Sequence, residues 1–287
     1  MFFAHSTLVQ SARSVICLFS IVVFAAAPVR AGFDVFSVGG TPLPSSIQGT
    51  VDTFRTALGD PNNGNTAGAL GSGRREINWD GGGAAAGVNN STPLTAFQNR
   101  GATITTPGTG FAQTPPGDTI LTSIQASYAT TFTAFSPLRI FTPFGSNVTE
   151  ITFSIPGSGG LTPATVTGFG AVFTDVDLAG TTKIELFSLA NASLGVFNVL
   201  QGTPGAAPSA TLSFLGLEAN AGEKIARVVI TTGNQPLGQP DSNGNPADIV
   251  VMDDFIFAEP AAIPEPAAAT LAALAIAGAM RLTRRRV

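Results

Sequence analysis

The chain has 287 residues and few charges, with 11% Asp, Glu, Lys and Arg and a formal net charge of −4. Its one histidine, His5, and its one cysteine, Cys17, both lie before Ala31. The chain after Ala31 therefore offers no cysteine nucleophile, no Ser-His-Asp triad, no histidine-bound zinc and no disulfide. Between Gly32 and Ile263, eight Lys and Arg oppose seventeen Asp and Glu, and this net charge of −9 argues against nucleic acid as a partner.

The first 31 residues have the order of a secretory signal peptide. Arg13 is followed by an unbroken apolar run, Ser14–Ala27, and then by Val29-Arg30-Ala31. Such an order predicts cleavage by signal peptidase after Ala31. The run is shorter than the ~20 residues that a transmembrane helix needs.

The beginning of the mature chain predicts one helix in a loop-rich part, residues 32–110. After an extended start at 33–38, apolar residues recur at helical spacing from Ser45 to Leu58, with Ser45 or Ser46 as a cap and Gly59 as the end. Gly59–Gly73 contains turn residues without periodicity, which predicts a long loop.

From Arg74 onward, short β-branched and aromatic runs alternate with Gly, Pro, Asn and Thr, a pattern typical of strands. The predicted strands are Glu76–Trp79, Ser123–Tyr128, Leu138–Thr142, Val148–Ile155, Val166–Thr174, Lys183–Ser188, Leu194–Leu200, Ala210–Phe214, Ile225–Thr232 and Ile249–Phe257. No helical stretch long enough for a parallel crossover lies between them. We therefore expect residues 32–260 to form a mainly β domain, an antiparallel β-sandwich or jelly roll with one short N-terminal helix.

A first cluster of candidate ligand-binding residues lies in Gly73–Gly83 and comprises Arg74, Arg75, Glu76, Trp79 and Asp80. One interpretation is a carbohydrate contact in which Trp79 stacks on a sugar and the charged groups hydrogen-bond to it. The other, which we favour on the sequence, is structural: Trp79 lies in the core, Glu76 pairs with an arginine, and Asp80-Gly81 forms a turn.

Two further clusters are pairs of aspartates on apolar strands. Asp175 and Asp177 share a face if the strand before them stays extended, whereas strict alternation sends Asp253 and Asp254 to opposite faces. A buried carboxylate needs a partner, and Arg139, Arg227, backbone N–H groups or an ion are candidates. Calcium bound by all four aspartates is one hypothesis, and no motif demands any other cofactor.

Catalysis is the alternative to binding. Glycoside hydrolysis needs only two positioned carboxylates, for which Glu76, Asp80 and Glu150 are the first candidates. The sequence contains no strong catalytic motif, so a non-catalytic module is the favoured interpretation.

The C-terminal part, residues 261–287, combines three features in a fixed order. Pro264-Glu265-Pro266 precedes a short apolar run, 267–280, and a basic cluster formed by Arg281, Arg284, Arg285 and Arg286. A run of this length spans only about 21 Å of a hydrocarbon core of ~30 Å, which favours transient membrane association with the arginines on the cytoplasmic side.

This order resembles a PEP-CTERM sorting signal, which accompanies an N-terminal signal peptide. The resemblance implies cleavage near Pro-Glu-Pro by an exosortase, a membrane-embedded protease or transpeptidase. It also implies delivery to the cell surface or extracellular polysaccharide matrix of a Gram-negative bacterium. Gly73–Gly81, followed by Thr106–Phe111, also looks like a segment shared by uncharacterised exported bacterial proteins. We therefore expect an exported binding or structural module, with exopolysaccharide as a candidate ligand and a secreted carbohydrate-active hydrolase as the alternative.

Overall fold

Antiparallel β-sheets are the main regular structure in the computed structural model, which describes residues 32–81, 86–203, 209–241 and 246–263. The predicted signal peptide and the sorting tail from Pro264 onward lie outside the described residues. No helix in the described ranges has both the length and the apolar character needed to cross a membrane.

The described elements follow one another as short strands with two α-helices near the N-terminal side. The α-helices are α1 (Ser45–Leu58) and α2 (Thr119–Thr122). The strands are β1 (Phe33–Gly39), β2 (Arg74–Ile77), β3 (Val88–Asn90), β4 (Ala102–Thr105), β5 (Gly110–Thr114), β6 (Ile140–Phe144), β7 (Val148–Phe153), β8 (Ala164–Thr165), β9 (Gly168–Thr174), β10 (Lys183–Phe187), β11 (Ser193–Asn198), β12 (Leu212–Ala219), β13 (Arg227–Thr231), β14 (Val251–Ala258) and β15 (Ala261–Ala262).

Two large sheets and a small ribbon contain these strands, and all of their pairs are antiparallel. The eight-stranded sheet has the order β1-β12-β9-β14-β6-β5-β3, and β2 also pairs with β14. The five-stranded sheet has the order β11-β10-β13-β7-β4, and β15 pairs with β8. The prediction of a mainly β fold with antiparallel sheets is confirmed.

Burial follows the alternation of side chains along the strands. In β10 and β13 of the five-stranded sheet, buried and half-buried positions alternate, which places Ile184, Leu186, Val228 and Ile230 in the core. In β9 and β14 every residue is buried, so both faces of these strands are covered. One hydrophobic cluster contains side chains from both large sheets.

Helix α1 is confirmed over the predicted range, with Ile47, Val51, Phe54 and Leu58 buried and Gly59 at its end. Its N-terminus has no side-chain cap, because the Ser46 hydroxyl donates backwards to the carbonyl of Leu43 at 2.6 Å. The Phe54 ring packs over Gly170 and Gly216, where an added Cβ would lie only 2.7 Å from it.

The prediction of a strand at Ser123–Tyr128 is wrong. Asp118 accepts a hydrogen bond from the N–H of Ile120 at 2.9 Å and starts α2, and a 3₁₀ turn follows at Ala126–Ala129. The loop-rich part also contains β3, β4 and the start of β5, which were not predicted. These strands are short and rich in Thr, Gly and Asn, so their signal is weak.

A buried ion pair fastens the loop at Gly59–Gly73 to the end of β14. The guanidinium of Arg75 is fully buried and donates two hydrogen bonds of 2.8 Å to the carboxylate of Glu259. Arg75 also donates to the carbonyl of Gly64, and Glu259 accepts from Asn63 and from the N–H of Leu70. The structural interpretation paired Glu76 with Arg74 or Arg75; Arg74 is its partner, whereas Arg75 pairs with Glu259.

We predict that Glu259→Gln lowers the free energy of unfolding by about 3–5 kcal/mol, because it leaves the buried charge of Arg75 uncompensated. Glu150→Gln is the matched control. It breaks the more exposed pair with Arg227, whose contribution we expect to be at most about 1 kcal/mol. Urea unfolding of the two variants measures both effects, and equal losses would contradict the assignment.

Candidate functional site

A β-bulge in β14 places the side chains of Asp253 and Asp254 close to each other. Met252 pairs with Phe173 and Phe255 pairs with Ala171, so the two aspartates together oppose the single residue Val172. The expected strict alternation, with the aspartates on opposite faces, is therefore wrong at this point. The hydroxyl oxygen of Ser136 lies near both carboxylates, 3.4 Å from Asp253 and 2.6 Å from Asp254, and donates to the nearer one.

Protein groups partner both of these carboxylates. Asp253 accepts from the backbone N–H groups of Phe135 at 2.6 Å and Ser136 at 3.3 Å. Asp254 lies 3.3 Å from a guanidinium nitrogen of Arg55, on α1. Of the partners expected from the sequence, backbone N–H groups are found for Asp253, whereas Arg55 was not anticipated.

Burial raises the pKa of both carboxyl groups. For Asp253 the pKa lies well above its usual value, first because the group is desolvated and next because Asp254 repels its charge. The pKa of Asp254 is also raised by burial, against the opposing effects of Ser136 and Arg55. These two adjacent acids therefore favour a protonated state more than ordinary aspartates do.

A cavity of about 370 Å³ opens beside Asp254. It lies near the place where β14 changes its neighbour, since Met252 pairs with β6 and Phe255–Ala258 pair with β2. Polar and charged side chains line it: Arg55, Asn62, Glu76, Asn78, Arg100, Ser136 and Asp254. We call it the arginine–carboxylate cavity.

The first predicted cluster contributes Glu76 to this cavity. Its carboxylate accepts from Arg55 at 2.9 Å and from Arg74 at 2.7 Å. Arg74 also pairs with Asp60, while Arg75 is committed to Glu259. The charged side chains of Arg74, Arg75 and Glu76 are therefore all in ion pairs, and none of the three is left unpaired to meet a ligand.

Asp80 acts as an acceptor for backbone groups. One of its oxygens accepts from the N–H of Leu138 and, at 2.9 Å, from the N–H of Arg139. The other accepts from the Asn78 amide at 3.1 Å. Asp80 therefore holds the chain segment that leads into β6, next to Ser136.

Trp79 is a core residue. Its side chain is 1% exposed and stacks on Phe141, with ring centroids 3.8 Å apart and an angle of 3° between the planes. Its backbone has a φ of 65°, which is unusual for a bulky residue. The ring has no exposed face on which a sugar could stack.

Asp175 and Asp177 belong to a second group, in which they lie close to Asp241. One ligand oxygen of each residue lies within 4.8 Å of the other two, and the side chains are at most 2% exposed. We call these three residues the buried aspartate cluster. Asp253 and Asp254 have different partners, so the structure does not gather the four predicted calcium ligands in one site.

The chain does not continue as an extended strand after Thr174. Asp175 has a φ of 70°, in the left-handed region, so the expected alternation of Phe173, Asp175 and Asp177 ends there. Asp241 precedes β14, and no sequence signal links it to Asp175. It was missed because its proximity arises only when β14 pairs with β9.

Electrostatics distinguish the buried aspartate cluster from ordinary surface acids. Burial, reinforced by Asp177 and Asp241, raises the pKa of Asp175 to about 8. Burial likewise raises the pKa of Asp177 to about 6 and that of Asp241 above its usual value. In the described ranges no Lys or Arg forms an ion pair with these three residues.

Glu150, the third candidate for a catalytic carboxylate, lies on β7 of the five-stranded sheet and pairs with Arg227 at 3.2 Å. It does not line the arginine–carboxylate cavity. The structure therefore does not bring Glu76, Asp80 and Glu150 together around that cavity.

No family model, curated protein or solved structure matches this chain. The function must therefore be argued from the chemistry of the two sites.

We predict that Asp253→Asn flattens the dependence of stability on pH. Asp253 has a raised pKa in the folded chain and a usual value of 3.8 in the unfolded chain, so its favourable contribution is complete below about pH 4 and declines as pH rises. Chemical unfolding between pH 5 and pH 8 measures this. The wild type should lose more stability than Asp253→Asn, and Asp34→Asn, an exposed control, should follow the wild type. Parallel profiles for all three proteins would refute the prediction.

Proposed function

We propose that this protein is an exported, non-catalytic module that binds a hydroxyl-rich polymer such as exopolysaccharide through the arginine–carboxylate cavity. The observation that carries the proposal is the lining of that cavity, which combines guanidinium donors, amide groups and carboxylate acceptors. Sugar hydroxyls both donate and accept hydrogen bonds, so a mixed lining of this kind is complementary to them.

The carboxylates of Glu76 and Asp80 already accept hydrogen bonds from the protein, which favours a binding role over hydrolysis. Each oxygen of Glu76 already accepts from an arginine, and both oxygens of Asp80 accept from nearby N–H groups. A glycosidase needs one carboxyl group to transfer a proton and a second to act as nucleophile or base. Groups held in this way are better suited to positioning a ligand.

The contact we propose differs from the one the sequence suggested. Trp79 is buried and does not line the cavity, so Arg100 and Asn78 replace it as the groups that meet the ligand. Arg100 is itself held in place, because it donates to Asn65 at 2.9 Å and to the carbonyl of Glu76.

We predict that the purified protein binds the exopolysaccharide of its own host and that Arg100→Ala and Asn78→Ala weaken binding by about tenfold each, roughly the 1.4 kcal/mol expected for a hydrogen bond to a charged or polar group. Arg227→Ala, an arginine outside the cavity, is the matched control and should bind as the wild type does. Unfolding midpoints show whether each variant is folded.

Isothermal titration with fragments of the polymer measures the affinities. No binding by the wild type, or equal affinities in all variants, would contradict the proposed site. Release of reducing sugar by the wild type, lost in Glu76→Gln, would instead support the hydrolase.

Beyond the mainly β, antiparallel architecture, we propose that the domain is a β-sandwich of the jelly-roll kind. The support is a hydrophobic cluster that both large sheets share, to which Phe169 and Phe214 contribute from the eight-stranded sheet and Ile151 and Val228 from the five-stranded sheet. Two sheets that share a core in this manner usually pack face to face.

Export and sorting are proposed from the sequence. Signal peptidase would cut after Ala31, and an exosortase would act near Pro264-Glu265-Pro266 while residues 267–280 lie transiently in the inner membrane. Arg281, Arg284, Arg285 and Arg286 would hold the cytoplasmic side. The destination is the surface or the extracellular matrix of a Gram-negative cell.

We predict that protein recovered from the host's surface or medium begins at Gly32 and ends near Pro264–Pro266. Intact mass spectrometry measures both ends in one experiment. A chain that still carries Arg284–Arg286 would mean that the tail is a permanent anchor, and a chain that retains His5 would contradict the signal peptide.

A further inference from the structure

In the buried aspartate cluster, hydrogen bonds from the protein reach only half of the carboxylate oxygens. In each of the three side chains one carboxylate oxygen is held by protein donors. Asp175 Oδ1 accepts from the N–H groups of Ser209 and Ala210, both at 2.7 Å, and Asp177 Oδ1 accepts from the hydroxyl of Ser209. Asp241 Oδ2 accepts from the N–H of Ile249 at 2.9 Å.

The second oxygen of each carboxylate meets no N–H or hydroxyl donor. Asp175 Oδ2, Asp177 Oδ2 and Asp241 Oδ1 are all shielded from solvent and unpartnered. Buried polar atoms are nearly always satisfied, so three such atoms together call for an explanation. A proton shared between Asp175 and Asp241 would leave Asp177 Oδ2 unpartnered, whereas a cation that accepts electron pairs from all three oxygens accounts for the whole set.

We propose that the unpartnered oxygens of Asp175, Asp177 and Asp241 bind a divalent cation, calcium. The three residues are at most 2% exposed, and one ligand oxygen of each lies within 4.8 Å of the others. Two oxygens that share a calcium ion at about 2.4 Å are separated by no more than about 4.8 Å, so the spacing suits this ion.

The donor set selects calcium over other metals. The ligands are carboxylate oxygens without histidine or cysteine, which excludes the usual sites for zinc and copper. Magnesium retains several waters and is usually bound by one or two carboxylates, whereas calcium accepts several carboxylates together with carbonyls and waters. The remaining coordination positions would be filled by backbone carbonyls or water.

The ion would join three parts of the chain. Asp175 and Asp177 follow β9, Asp241 precedes β14, and Ser209, which orients two of the carboxylates, precedes β12. These strands are neighbours in the eight-stranded sheet. Calcium would therefore fix one end of the central strands, independently of any ligand in the arginine–carboxylate cavity.

The test is calorimetric titration of the purified full-length chain with CaCl₂ after removal of divalent ions by chelation. We expect one calcium per chain and an unfolding midpoint that rises on addition of calcium. Asp241→Asn should weaken calcium binding by at least about tenfold, since even partners outside the ligand shell contribute 10–100-fold. Asp34→Asn removes the same charge from the surface and should bind as the wild type does.

The effect of Asp241→Asn in chelator and in calcium separates an ion site from a merely structural role. In chelator Asp241→Asn should not lower the unfolding midpoint, because it removes an acid that is costly to bury beside the other carboxyl groups, whereas in calcium it should lower the midpoint relative to the wild type. Absence of stoichiometric calcium binding by the wild type, or an unchanged affinity in both Asp241→Asn and Asp177→Asn, overturns the proposal. Equal affinity for MgCl₂ overturns the assignment to calcium. If the variants do not fold, the wild-type titration alone decides.

Discussion

The divided edge of β14 is the constraint on which the arginine–carboxylate cavity depends. One edge of this strand pairs with β9, while the other is shared by β6 at Met252 and by β2 from Phe255 to Ala258. The bulge at Asp253 and Asp254 falls at the change of partner. Two buried carboxylates at this point need donors, and the chain before β6 and the helix α1 provide them. The cavity is therefore a product of strand pairing.

The protein balances buried negative charge in two ways. Around Asp254 and Glu76, the arginines of α1 and β2 compensate the carboxylates directly. In the buried aspartate cluster, serine and backbone donors hold one oxygen of each side chain and leave the other without a partner. The first arrangement is complete within the chain, and the second requires a proton or an ion to be neutral. The two sites therefore differ in what they can recognise.

Local patterns in the sequence predicted helix α1 and the longer strands, but neither several short strands nor the sites. Helix α1 was predicted at its observed bounds, because apolar spacing and a terminal glycine define it without help from the rest of the fold. The bulge in β14 and the turn at Asp175 break the assumed alternation, and both arise from pairing between distant strands. Arg55 and Asp241 reach their sites only through tertiary packing, so neighbouring residues gave no signal for them. Trp79 shows the reverse, since the interpretation favoured on the sequence placed it in the core, where its side chain lies.

The ribbon of β8 and β15 lies close to the position at which we propose that the chain is cleaved. Ala261 and Ala262 pair with Thr165 and Ala164, and a single residue, Ile263, separates them from Pro264. An extended chain advances about 3.3 Å per residue, so a protease that cuts beside Pro264 would work within about 7 Å of the hydrogen-bonded ribbon. Proteolytic processing beside Pro264 would thus act close to this two-residue ribbon and would leave a mature end with almost no free tether.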